Sequence, residues 1–174
     1  YIADDNGPTT EGGFDGRDAL TVHGKNQTVE ERLLQHDAIG SEAFDNAPAA
    51  AWAWASNSPF KGAKTVASDL GGVRLPMVVS WPGHISRTGE VCSEFIHITD
   101  IAPTLFEIAG IRAPSVVHGV EQMPLEGKSF VYTFQRPENS GRPRIQYFEI
   151  FGSRGIYKDG WWAGSPKGSI WNQG

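Results

Sequence analysis

The residues of this chain best suited to chemistry fall in two short stretches. Asp5-Asn6-Gly7 follows the apolar stub Tyr1-Ile2-Ala3 and offers a carboxylate and an amide oxygen, the hard donors that calcium and magnesium accept. Open α/β sheets place their sites at strand ends of this kind. Two ligands cannot hold such an ion alone, and Asp-Asn-Gly is also a common turn tripeptide; on these residues alone the turn is the commoner reading. The second stretch runs from Pro59 to Arg74 and carries Lys61 and Lys64 ahead of Gly71-Gly72. A lysine ammonium there is a point charge with three donors that can reach an anion, and paired glycines let backbone approach closely. Against that, most loop lysines are simply solvated.

The histidines and the single cysteine are weaker candidates. His97 alternates with Phe95 and Thr99, as a satisfied sheet residue does. His84 and His118 lie in turn-like contexts, and His23 and His36 flank a surface helix. Cys92 reads as a small buried or partly buried thiol. Glu149, a strand carboxylate with no evident partner, belongs on the solvent face. None of these is assigned a role.

The elements that must position the two stretches are legible in outline. Residues 1–3 read as the exit of a buried strand, and Gly7-Pro8, Gly12-Gly13 and Gly16 make the following stretch a loop. Thr28-Val29-Glu30-Glu31 is a capping box, so a short helix should run to about His36 or Asp37. From Asp37 to Ser58 the chain is rich in Ala, Ser, Asn and Gly without a clear period, which predicts a surface excursion, with Trp52 and Trp54 pinning it to the core. Val73 to Trp81 is β-branched and apolar and stops at Pro82-Gly83, the pattern of a buried strand. Glu94 to Ile98 alternates weakly before the cap signal Thr99-Asp100. Pro103 to Gly110 reads as a helix with proline in its first turn and glycine past its end; Leu105, Ile108 and Ala109 share the face that should dock on a sheet. Val116 to Phe134 is irregular. Ile145 to Ile150 and Gly155 to Lys158, joined through Gly152-Ser153-Arg154, predict an antiparallel hairpin that Trp161-Trp162-Ala163 extends.

Composition narrows the class. With 39% hydrophobic and 20% charged residues, a formal net charge of −5, 21 Gly and 11 Pro, the 174 residues have a soluble, loop-rich globular balance. A chain this long can bury roughly two-thirds of its unfolded surface, so one domain or part of one is the default. No stretch approaches the ~20 apolar residues of a membrane span. Basic residues are scattered rather than striped, which argues against nucleic acid, and one cysteine excludes an internal disulfide framework. A chain that begins inside a strand is expected to lack its front part.

Taken in order, several motifs form a pattern. A strand ending in Asp5-Asn6-Gly7, a lysine ahead of Gly71-Gly72-Val73-Arg74-Leu75-Pro76, then Trp81-Pro82-Gly83-His84-Ile85 and Thr99-Asp100-Ile101-Ala102-Pro103-Thr104-Leu105 before a helix resemble the C-terminal half of the type I sulfatases. That family, also called the arylsulfatases, lies in the alkaline phosphatase superfamily. Gln146 to Glu149 and Gly155 to Trp161 are similar to its C-terminal antiparallel sheet, above all in the bacterial arylsulfatase branch. Each motif is weak alone; their order over nearly the whole chain is specific. The resemblance implies an α/β fold, the C-terminal part of an alkaline-phosphatase-like α/β sandwich over residues 1–135, with a small C-terminal antiparallel sheet over residues 136–174. It implies that Asp5 and Asn6 are metal ligands for calcium, with magnesium as second choice. Lys64 matches the catalytic lysine that grips a sulfate oxygen and steadies the leaving group, and Lys61 is the runner-up. Asp4 is not a matched ligand. Lys64 stands one residue further from Gly71-Gly72 than the lysine of many members, a spacing the bacterial branch shares.

Enzymes of this kind cleave aryl or carbohydrate sulfate esters with a formylglycine nucleophile made inside a Cys/Ser-x-Pro-x-Arg motif. Cleavage moves negative charge onto the leaving oxygen, which a divalent cation and a fixed ammonium stabilise. No such motif occurs here: Cys92 sits in Glu90-Val91-Cys92-Ser93-Glu94, with neither the proline nor the arginine. The expectation is therefore a fragment, inactive alone, whose formylglycine and first ligand pair lie in a missing N-terminal half of the same protein. Its substrate would be a small-molecule or carbohydrate sulfate ester, and the resemblance leans towards a periplasmic or secreted setting. A phosphodiesterase or phosphonate monoester hydrolase of the same superfamily would use similar ligands and a similar lysine. A non-catalytic binding module that kept the sheet is the third reading.

Overall fold

The computed structural model describes residues 1–4, 6–18, 28–42, 46–85, 88–135 and 143–166. In chain order its elements are β1 (Ile2–Ala3), β2 (Arg17–Asp18), α1 (Val29–Leu33), β3 (Asn46–Ala47), α2 (Ala50–Asn57), α3 (Leu70–Val73), β4 (Met77–Val78), α4 (Ile101–Ala109), β5 (Val116–Val117), β6 (Val120–Glu121), β7 (Ile145–Ile150), β8 (Ser153–Lys158) and β9 (Trp161–Ser165). Short 3-10 turns cover His36–Ala38, Ile98–Asp100 and Val131–Phe134. β1 pairs with β4; β2 with β3 and β5 with β6 are antiparallel pairs, and β7-β8-β9 is a three-stranded antiparallel sheet. The chain divides into two units, residues 1–2 with 78–144 and residues 3–77 with 145–174. Phe130 and Phe134 are buried in the first, Ala53 and Ala67 in the second.

The first unit is built around α4. The helix ends where expected, at Gly110 with φ 66°, a left-handed conformation that glycine adopts without a Cβ clash. Its buried side is not the expected one: Thr104 is 0% exposed, while Leu105 is 47% exposed. The partner is also not a sheet but the segment 127–130. Phe130 N–H donates to Thr104 Oγ1 at 3.1 Å, and the Thr104 hydroxyl donates to the Asp100 carbonyl at 2.6 Å. A Cβ on Gly127 would stand 2.0 Å from the Thr99 carbonyl oxygen, so only glycine lets the segment lie this close.

Asp100 was expected to cap α4; its side chain instead ties three segments together. The buried carboxylate accepts from His97 N–H at 2.8 Å, Lys128 N–H at 2.7 Å and Arg144 Nη2 at 3.1 Å, the compensation a buried charge requires. The Glu94–Ile98 stretch is not a strand, so His97 is not a sheet residue. It caps the Ile98–Asp100 turn, with Nδ1 2.9 Å from Thr99 Oγ1. The irregular stretch predicted for Val116–Phe134 contains the β5–β6 hairpin. Cys92 is exposed rather than buried.

In the second unit the Thr28 capping box forms, with Glu31 N–H donating to Thr28 Oγ1 and Thr28 N–H to Glu31 Oε2. Where a surface excursion was expected, the alanine-rich stretch makes α2, as a run of the best helix former should. Trp52 and Trp54 do not pin it: they are 72% and 63% exposed, and the small Ala53 between them is the buried residue. The long strand predicted over Val73–Trp81 shrinks to β4. Leu70–Val73 is helical and closes with Arg74 N–H on the Leu70 carbonyl at 2.6 Å, and Pro76 has no N–H for a ladder. The C-terminal sheet forms as expected, but its first turn is Phe151-Gly152, with φ 50° and 82°, and its second Asp159-Gly160, with φ 47° and 92°. Both are two-residue turns with positive φ at each position, the geometry that matches strand twist.

Candidate functional site

The lysine loop is a closed excursion between α2 and α3. Asn57, the last residue of α2, donates through Nδ2 to the carbonyls of Gly62 and Gly71, each at 2.8 Å. Gly71 N–H donates to the Lys61 carbonyl at 2.7 Å. These bonds draw the neck shut, and Val66 N–H on the Ala63 carbonyl at 3.1 Å folds the interior. A Cβ on Gly71 would lie 2.5 Å from the Lys61 carbonyl oxygen, and one on Gly72 would lie 2.0 Å from that of Val66.

What the paired glycines admit from outside is the Asn6-Gly7 corner. Gly7 is buried and its N–H donates to the Gly72 carbonyl at 3.2 Å. Next along the chain, Lys64 N–H donates to the Pro8 carbonyl at 3.1 Å. The fold thus brings the half-buried Asn6 and the Lys64 loop side by side, although 58 positions separate them in sequence. Asp5 lies outside the described residues. Lys61 is exposed and gives its carbonyl to the neck of the loop.

The Lys64 ammonium stands 3.0 Å from Glu11 Oε1, with the two side chains 39% and 68% exposed. At that exposure the pair is worth about 0–1 kcal/mol, little enough for Glu11 to be exchanged for another anion. The loop bearing Glu11 is itself anchored, since Ala50 N–H at the start of α2 donates to the Gly13 carbonyl at 2.8 Å. A Cβ on Gly12 would stand 2.2 Å from the Pro48 carbonyl oxygen. Among the described residues no three His, Cys, Asp or Glu side chains gather as a metal-binding group. The donors at the corner are hard oxygens, which suit calcium or magnesium better than zinc.

Sequence reasoning missed Glu11 and Asn57. Nothing in the local pattern marks either, because each acts across a fold that the periodicity does not reveal. Of the groups left without a role, Glu149 does have partners: it accepts from the Tyr147 hydroxyl, and from Arg154 Nε at 3.3 Å. The Tyr147 bond is the main reason its carboxyl titrates below the ordinary range. His97 titrates low chiefly because it is partly buried.

Mixed helices and small antiparallel sheets, with a lysine loop closed against an Asn-Gly corner, are the features to set beside known proteins. Residues 70–139 match the family described as N-sulphoglucosamine sulphohydrolase, C-terminal, so this part of the chain is similar to a sulfatase C-terminal region. The fold observed fits such a region. The chain is 35% identical over 91 residues to the ulvan-active sulfatase of Formosa agariphila, covering 49% of this chain and 17% of that protein. It is 33% identical over 78 residues to the arylsulfatase of Klebsiella aerogenes, covering 45% and 17%. It is 37% identical over 71 residues to the N-acetylgalactosamine-6-sulfatase of Mus musculus, covering 40% and 13%. The match spans less than a fifth of each relative's length.

Proposed function

We propose that this chain is the C-terminal part of a sulfuric ester hydrolase with an alkaline-phosphatase-like α/β sandwich, acting on aryl or carbohydrate sulfate esters. The observation that carries this reading is the 3.1 Å bond from Lys64 N–H to the Pro8 carbonyl. It brings the Lys64 backbone against the Gly7-Pro8 stretch that follows Asn6, in a chain similar to sulfatases over part of its length. In this reading Lys64 meets the charge that develops on the sulfuryl and leaving oxygens, where a fixed cation stabilises the transition state more than the ground state. The sulfate displaces Glu11 from Lys64 at little cost, because the exposed pair is weak. Asp5 and Asn6 supply oxygens to a calcium ion, or in second place magnesium. Once bound, such an ion polarises the sulfuryl oxygens as a Lewis acid. The formylglycine nucleophile and the remaining ligands come from residues outside this chain.

The test uses the full-length protein that carries these residues. It should hydrolyse nitrophenyl sulfate, lose that activity to a chelator and recover it with calcium, while residues 1–174 expressed alone should be inactive. Faster turnover of bis(nitrophenyl) phosphate than of the sulfate would move the protein to the phosphodiesterases. Absence of turnover on either would make it a binding module.

A further inference from the structure

The segment just after Lys64 is held by the antiparallel sheet of its own unit. Ser68 is 7% exposed, and both of its backbone groups are taken by side chains of that sheet. Its N–H donates to Ser153 Oγ at 3.0 Å, and its carbonyl accepts from Trp162 Nε1 at 3.0 Å. Two glycines make the approach possible. A Cβ on Gly155 would stand 2.3 Å from the Ala67 carbonyl oxygen, and one on Gly164 would stand 1.9 Å from that of Ser68. Only Thr65, Val66 and Ala67 separate this clamp from Lys64, and Thr65 is fixed at φ 72°. Lys64 N–H is bonded to Pro8 at the other end, so the short segment is anchored on both sides.

We infer that Trp162 and Ser153 are positioning residues for Lys64: the C-terminal sheet, through the backbone of Ser68, sets where the lysine ammonium stands. This rests on the reading of Lys64 as the group that grips the sulfate. Buried backbone groups whose partner is removed are costly to leave unpaired, so loss of either bond shifts the segment. A small displacement of a charge-stabilising group is enough to slow catalysis.

Trp162→Phe keeps an aromatic ring and removes the N–H, and the full-length enzyme is compared with and without Lys64→Ala. Trp162→Phe should lower kcat/KM for nitrophenyl sulfate about tenfold or more and cause no further loss when Lys64 is already alanine. Amide exchange at Lys64 and Ser68 should quicken while that of Trp52, within α2, stays unchanged. Equal losses in both backgrounds, or unchanged exchange at Lys64, would reduce Trp162 to a packing residue and overturn the inference. If Lys64→Ala leaves turnover intact, the reading of Lys64 fails, and exchange alone then decides whether the sheet positions the loop. Should Trp162→Phe not fold, Ser153→Ala removes the other bond and goes through the same cycle.

Discussion

Gly7 and Gly72 meet backbone to backbone, with the Gly7 N–H donating to the Gly72 carbonyl at 3.2 Å. A Cβ on Gly7 would lie 2.2 Å from the carbonyl oxygen of Gly71. The glycine of the Asp-Asn-Gly corner and the pair after the lysine loop therefore serve one purpose: they let two distant loops share a seam.

Gly7→Ala should destabilise the protein by about 1–3 kcal/mol, the usual cost of forcing an atom into occupied space. Its urea midpoint would fall accordingly. A variant as stable as the parent would mean that the corner swings away from Gly71-Gly72 without penalty.

Asn57→Ala strips donors from the carbonyls of Gly62 and Gly71, and a loss of about 1–3 kcal/mol is expected. Asn57→Asp should be worse, since it aims a carboxylate at two carbonyl oxygens. Denaturant unfolding ranks the two variants; an aspartate that matched asparagine would refute the closed neck.

Acid stability should carry a contribution from His97. Burial lowers the pKa of its imidazole, outweighing the nearby Asp100 carboxylate, which raises it. A histidine depressed in the folded state binds its proton more readily when unfolded. Its stabilising contribution is whole above about pH 6.5 and declines as pH falls towards the folded value. His97→Asn should flatten the fall in melting temperature below about pH 6.5, and an unaltered slope would assign that fall to other groups.

Local chemistry explains what could be read beforehand. The Thr28–Glu31 box, the left-handed Gly110 and the three C-terminal strands depend on neighbours within a few residues, and they form. The Val73–Trp81 strand is shorter than expected because Leu70–Val73 is a helical turn, with Gly71 tied to Lys61 and Asn57 and Gly72 to Asp69, bonds that hydrophobic pattern does not encode. The buried face of α4 was misread for a similar reason. Thr104 is polar in sequence but fully buried, its hydroxyl satisfied by Asp100 and Phe130. For the site, the order of motifs pointed to Asn6 and Lys64, while their adjacency, the Glu11 tether and the Ser68 clamp are tertiary facts. Asp5 lies outside the described residues.

The central claim is that Lys64 carries the charge of a sulfate ester during its cleavage, and kcat/KM for nitrophenyl sulfate in the full-length protein tests it most directly. Lys64→Ala should lose about 10²–10³-fold, the scale for removing one charge-stabilising donor. Lys61→Ala should stay within about twofold, as exposed surface changes do. Turnover by Lys64→Ala as fast as by the unaltered enzyme would contradict the account.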